Sequence, residues 1–263
     1  MIITGDEVLE ELKKINGIFT DSHLVGTSGK HLAAYFDLRR LFATRRDLLE
    51  RIGHQLGENL RDFEPDLIVG PETLGRELAG LAAAQLGIPA IHLSKRPVGF
   101  SDGKVIYHAD YRKTDESKND PEATPGKDWF LDPKLPFLEL FTEKNTAPRV
   151  VVVDDLFNTG YSIQNSIAFL REELPKITGV KQAPEIVAAV AVIRRNPHDG
   201  TEVTAESLEV PHLVFLKDID ASTPLTPEEC ARSGMCSKRV PMLPRPGHGY
   251  KFLAENPGYP VAE

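Results

Sequence analysis

Apolar positions fall into two rhythms along this chain. Behind Asp6 as a cap, Val8, Leu9, Leu12 and Ile15 recur at helical spacing and stop at Asn16-Gly17. His23-Leu24-Val25 and Tyr35-Phe36-Asp37 then read as short strands flanking a turn at Gly26-Thr27-Ser28-Gly29-Lys30. Helical spacing returns from Arg45 to Phe63 through Leu48, Leu49, Ile52, Leu56 and Leu60, and Pro65 ends it. Beyond Pro65 the rhythm changes to short, wholly apolar runs alternating with helices. Asp66–Val69, Ile88–Leu93, Val150–Val153 and Ile186–Ile193 read as strands, with helices through Leu78, Leu81, Ala82 and Leu86 and over Ser162–Leu174.

Strands that are β-branched on both faces and spaced by helices predict a parallel sheet covered on both sides. The expected fold is therefore α/β: an open, mostly parallel sheet with helices on both faces and a small N-terminal hood. The boundaries expected are a helix and hood over 1–63, a core over 64–220 and a tail over 221–263. Ser94 to Pro148 has turn signals but no helical period of useful length, so it reads as a long insertion between strands, a place where lids form. The Pro- and Gly-rich tail is expected to lack regular structure.

With 31 basic and 39 acidic residues in 263, the net charge is −8, and 41% of residues are hydrophobic. That balance excludes a chain too polar to fold and argues against a generic nucleic-acid binder, so any phosphate site must be local. There is no apolar run of membrane-spanning length and no signal-peptide pattern, and the expected location is cytoplasmic. Two cysteines, Cys230 and Cys236, are too few for a disulfide framework. With His248 downstream they invite a metal reading, but the spacing does not fit a zinc knuckle and no fourth ligand is evident, so no metal ligands are expected from the chain.

Candidate chemistry concentrates where the four-valine strand runs into Asp154-Asp155-Leu156-Phe157-Asn158-Thr159-Gly160-Tyr161-Ser162 and then a helix. Ligands of open parallel sheets bind at the carboxyl ends of strands. Thr159, Gly160 and Ser162 would offer hydroxyls and free amides at a helix N-terminus, which favours phosphate. Asp154 and Asp155 would repel phosphate unless they faced hydroxyls, a metal ion or a developing cation, so a sugar phosphate fits; a helix cap and a surface ion pair are the plain alternative. Val69-Gly70-Pro71-Glu72-Thr73-Leu74-Gly75-Arg76 repeats the strand, turn and helix arrangement, with Gly75 letting the backbone approach a ligand.

The Asp-Asp and Thr-Gly-x-Ser stretch resembles the phosphoribosyl pyrophosphate (PRPP) signature of the type I phosphoribosyltransferases. Gly70-Pro71-Glu72-Thr73-x-Gly75 is similar to the pyrophosphate loop of orotate phosphoribosyltransferases, and Ser28-Gly29-Lys30-His31 with Tyr35-Phe36-Asp37-x-Arg39 to their hood. The matches run in the family's order from about Gly17 to Leu216. The resemblance implies that Asn158, Thr159, Gly160, Tyr161 and Ser162 hold the terminal phosphate and that Glu72, Thr73, Leu74, Gly75 and Arg76 take the pyrophosphate. It also puts Lys30 on phosphate. It places Tyr35 and Phe36 near the base, and Arg195 on a base carboxylate through a bidentate guanidinium. Asp154 and Asp155 would orient the ribose and stabilise positive charge, with Lys95 and Arg96 as cationic catalytic groups.

It further implies Mg²⁺, held mainly by PRPP and water, and a homodimer. The activity implied is transfer of the phosphoribosyl group to a pyrimidine, orotate, with release of pyrophosphate. The chain departs from the pattern in three places. Arg194 stands where Asp is usual, Leu32 where Ser is, and the Lys-x-His-Gly of the catalytic loop is absent after Ser94-Lys95-Arg96. Arg112-Lys113 with Lys118, or His92 or His108, are candidate substitutes. These departures leave room for another nucleobase, or for a non-catalytic PRPP sensor, although no DNA-binding pattern accompanies one.

Overall fold

The computed structural model describes residues 3–26, 29–95, 97–101, 104–107, 129–130, 147–178 and 182–262. The chain divides into two compact units. One comprises Met1–Ile3, Asp47–Arg194 and Val203–Leu216; the other comprises Thr4–Arg46, Arg195–Glu202 and Lys217–Glu263. The C-terminal segment thus shares a unit with the N-terminal one.

That second unit begins with α1 (Gly5–Lys14), whose cap is Thr4 rather than Asp6. The Thr4 hydroxyl accepts from the Glu7 amide at 3.2 Å and the Glu7 carboxylate accepts from the Thr4 amide at 2.8 Å, satisfying two donors the helix cannot. Four two-residue strands follow: β1 (Ile18–Phe19), β2 (Leu24–Val25), β3 (His31–Leu32) and β4 (Tyr35–Phe36). The strand around Leu24 pairs with His31–Leu32, so that a further short strand lies between the 26–30 turn and the Tyr35 strand. The loop closes locally, Gly26 N donating to Lys30 O at 2.8 Å, and β4 is left to pair with β1. Helix α2 (Leu38–Thr44) is capped by the Asp37 carboxylate, and Arg45 after it ion-pairs with Glu11 of α1.

The sheet unit starts in α3 (Arg46–Leu60), whose Leu48, Leu49, Ile52, Leu56 and Leu60 are all buried. Then come β5 (Leu67–Pro71), α4 (Leu74–Leu86), β6 (Ala90–Lys95), β7 (Pro97–Ser101), β8 (Lys104–Tyr107), β9 (Trp129–Phe130) and β10 (Arg149–Phe157). After these follow α5 (Tyr161–Glu172), α6 (Leu174–Thr178), β11 (Glu185–Asn196) and β12 (Leu213–Asp220). The sheet order is β12-β11-β10-β5-β6-β9. Strands β11, β10, β5 and β6 pair in parallel, β12 lies beside β11, and short β9 joins β6 antiparallel at the edge. This is the open α/β sheet that the apolar runs predict. Val150–Val153 lie at its centre with no exposed surface, each contributing about 1.5–3 kcal/mol by burial.

In the second unit the C-terminal segment is not irregular. It forms α7 (Pro227–Ser233) and α8 (Gly249–Glu255). Helix α7 has Pro at its start and a reciprocal Thr226–Glu229 cap, so seven residues are held from the N-terminal end; too few turns are present for a hydrophobic period to show. Among the described residues no helix is long and apolar enough to cross a membrane.

Candidate active site

Strands β5 and β10 are neighbours, register Val69↔Val152, and each ends in a turn that opens a helix on the same edge of the sheet. The β5 turn is Glu72-Thr73, whose peptide is cis, and the Glu72 amide donates to Leu93 O on β6 at 3.0 Å. The β10 turn is Asn158-Thr159-Gly160, where Gly160 adopts φ 72° directly before α5. A side chain there would be strained, and a β-carbon would press on Val203 at 3.2 Å. Two helices without a side-chain N-cap, α4 of 13 residues and α5 of 12, therefore turn their positive ends toward adjacent strand ends.

The two turns are tied together at Asp154. A β-carbon on Gly75 would lie 2.7 Å from the Val153 carbonyl oxygen, 2.9 Å from Pro71 Cδ and 3.2 Å from Asp154 Oδ1. Only a residue without a side chain lets α4 come this close to β10. Gly70 is tighter still, its β-carbon position lying 2.0 Å from Gly75 O; Gly-Pro straight after an apolar strand is the local signal of such a close backbone approach. Asp154 is 8% exposed and its Oδ1 accepts the Asp155 amide at 2.9 Å, while Asp155 is half-buried. Thr73, Arg76, Thr159, Tyr161 and Ser162 are exposed, Glu72 and Asn158 half-buried. Leu74 is buried and belongs to the packing.

His92 on β6 lies within electrostatic reach of this turn. Partial desolvation, reinforced by the Arg76 charge and opposed by Glu72, lowers its pKa from the usual imidazole value. Lys95 ends β6, its backbone opposite Trp129. Arg96, Thr27, Ser28, His108, Arg112, Lys113 and Lys118 lie outside the described residues.

The remaining expected site residues belong to the other unit. Tyr35, Asp37 and Arg39 line a cleft of about 850 Å³ with Phe19, Arg245 and His248. Phe36 is 5% exposed and is packing rather than a free ring. Lys30 faces Glu229, whose carboxyl is lowered chiefly by hydrogen bonds from Thr226, with the Lys30 charge adding to them. Arg195 is not the solvated strand-end charge that its position suggests: it is 3% exposed and its Nη2 donates to Ser222 O at 2.8 Å. Arg194, in the sheet unit, lays its guanidinium over the Phe215 ring at 4.3 Å.

Comparison with known proteins gives this geometry a context. An adenine phosphoribosyltransferase from Acidiphilium cryptum is 32% identical over 140 residues, 53% of this chain and 64% of that protein, so this chain spans somewhat under two thirds of that relative's length. Orotate phosphoribosyltransferase 2 of Mesorhizobium japonicum is 27% identical over 213 residues, 78% of this chain and 86% of the relative. The crystal structure of an orotate phosphoribosyltransferase from Aeropyrum pernix is 22% identical, covering 81% of this chain and 93% of that one, with a TM-score of 0.44. Residues 40–221 match the family model of the phosphoribosyl transferase domain. That match takes in the sheet, both strand-end turns and the aspartate pair, and the chain belongs to the phosphoribosyltransferase family.

Proposed function

We propose that this protein transfers the phosphoribosyl group of PRPP to a ring nitrogen of a nucleobase, releasing pyrophosphate, and that the base is orotate. The observation that carries the reading is the approach of the Glu72 turn to the end of β10, with Gly75 against Val153 O and Asp154 Oδ1. Two anion-favouring helix starts flank a carboxylate pair, which suits a ligand with phosphates at its ends and hydroxyls between.

In this mechanism the bond to pyrophosphate breaks ahead of bond formation to the base, leaving positive charge on the ribose. Asp154 and Asp155 stabilise that charge and orient the ribose hydroxyls. Amides and hydroxyls of Asn158 to Ser162 hold the 5′-phosphate at the start of α5. The start of α4, with Glu72, Thr73 and Arg76, receives the departing pyrophosphate, and Lys95 adds positive charge. The donors at this strand edge are carboxylate and carbonyl oxygens, the kind a hard divalent ion accepts; Asp154 and Asp155 are the residues that would contribute to holding Mg²⁺, which when bound neutralises pyrophosphate charge. A homodimer belongs to the proposed function, as the resemblance to the family implies.

Orotate as the base is supported by the Mesorhizobium relative, which aligns over most of its own length, and by the Ser-Gly-Lys-His hood segment. The adenine-specific relative, higher in identity over a shorter stretch, favours a purine as the second reading. Incubating the purified protein with PRPP, Mg²⁺ and orotate, uracil, adenine, hypoxanthine or guanine, and measuring pyrophosphate release, tests the proposal. Release with orotate is the expected result. Release with adenine alone replaces the base assignment, and PRPP binding without release from any base overturns catalysis.

A further inference from the structure

Within the second unit, a different cluster has chemistry that the transfer reaction does not use. His23 sits at the start of β2, His31 opens β3, Cys230 lies in α7 and Cys236 follows it. One donor atom from each lies within 4.8 Å of the other three, the only such grouping of possible metal ligands among the described residues. His23 and Cys230 have no exposed surface, His31 has 2%, and Cys236 is half-buried. His248, downstream of the two cysteines, is not among these four residues. The partners are upstream, 207 and 213 residues away from the cysteines at His23.

The separations match a tetrahedral ion. Zinc holds nitrogen at about 2.0–2.1 Å and sulfur at about 2.3 Å, which sets a tetrahedral nitrogen–sulfur edge of about 3.6 Å. The Cys230 Sγ and Cys236 Sγ atoms lie 3.7 and 3.6 Å from His23 Nε2, and Cys236 Sγ lies 3.4 Å from His31 Nδ1. The two imidazole nitrogens approach to 2.7 Å, a hydrogen-bond distance; the corresponding tetrahedral edge is about 3.3 Å, so this pair must part by about 0.6 Å. Outer contacts aim the donors inward. His23 Nδ1 lies 3.1 Å from Val240 O, so that with the proton on Nδ1 the Nε2 lone pair faces the cluster. The Cys236 amide donates to Cys230 Sγ at 3.2 Å, a bond that strengthens when the sulfur is anionic.

We propose that His23, His31, Cys230 and Cys236 bind one structural Zn²⁺ that clips the β2–β3 hairpin to the C-terminal segment. Two thiolates with two imidazoles select zinc over magnesium or calcium, and four protein ligands leave no open position, the mark of a structural rather than a catalytic site. Binding releases the two thiol protons to solvent. The clip joins segments separated by some 200 residues, so it constrains the unfolded chain strongly.

The full chain, purified without a histidine tag or chelator, is expected to carry about one zinc per molecule by elemental analysis. After stripping, titration with Co²⁺ should produce the visible absorption of a tetrahedral ion and a sulfur-to-cobalt charge-transfer band. Cys236→Ser, at the half-buried position, should weaken Zn²⁺ affinity by at least about 100-fold, beyond the range typical of losing an outer-shell partner. His248→Ala should leave the stoichiometry and spectrum unchanged. A wild-type chain that keeps no zinc and gives no tetrahedral cobalt spectrum overturns the proposal without recourse to any variant. So does a native disulfide between Cys230 and Cys236, or an unaltered cobalt spectrum in a folded Cys230→Ser, Cys236→Ser double variant.

Discussion

Two glycines of one helix offer a sharp test of the site. Gly75 and Gly80 both lie in α4. Alanine at Gly80 would meet nothing within 4 Å, so Gly80→Ala should stabilise the protein by the ordinary helix preference of about 0.5–1 kcal/mol. At Gly75 the same preference is opposed by contacts of 2.7 Å with the Val153 carbonyl oxygen and 2.9 Å with Pro71. Both belong to strand backbone or a ring at its end, neither of which swings aside, and overpacking of this kind costs about 1–3 kcal/mol. The difference leaves Gly75→Ala destabilised by about 1–2 kcal/mol. At a few degrees of Tm per kcal/mol for a chain of this size, the two variants should separate by about 4–10 °C in thermal unfolding.

The functional consequence follows from the third contact, 3.2 Å to Asp154 Oδ1. To relieve the clash, the start of α4 must move away from the carboxylate pair. A displacement approaching 1 Å in a positioned site costs up to about 100-fold in rate. In a pyrophosphate-release assay, Gly75→Ala should therefore lose PRPP-dependent turnover and PRPP affinity, whereas Gly80→Ala keeps both. If Gly75→Ala gained stability as Gly80→Ala does and bound PRPP normally, the inferred closeness of the Glu72 turn to Asp154 would be wrong.

Asp154→Asn combined with Asp155→Asn should cut pyrophosphate release by about 10³-fold or more while unfolding stays within about 1 kcal/mol of wild type, because the Asn carbonyl can still accept the Asp155-position amide; retained turnover removes their proposed role. Arg195→Ala should cost about 2 kcal/mol or more in denaturant unfolding, since it empties a buried position and strands the Ser222 carbonyl; wild-type stability together with weaker nucleobase binding would return Arg195 to the ligand. The exposed His198 shares a 2.6 Å hydrogen bond with Asp220, which raises its pKa above the ordinary 6.5. Its contribution to stability is thus complete below pH 6.5 and fades as pH rises through the raised value. Proton NMR titration should show that elevation, and Asp220→Asn should remove most of it, leaving the smaller contributions of Asp218 and Glu202.

The sheet and the candidate active site were legible because each is written in contiguous residues. A central parallel strand must be apolar on both faces, so Val150–Val153 declares itself without knowledge of its neighbours. A turn that favours phosphate must combine strand end, small residues and helix start within about ten positions, as Val69–Arg76 and Asp154–Ser162 do. What only the tertiary structure decided lies where the deciding partner is distant in the chain. Arg195 and Phe36 carry no local mark of burial; the Ser222 carbonyl and the packing of the second unit make them inaccessible. The Leu24 strand chose His31–Leu32 over Tyr35–Phe36 through loop closure, which apolar alternation does not encode. The histidine and cysteine cluster lies furthest from local reading: its spacing makes sense only once folding has brought together residues more than 200 positions apart.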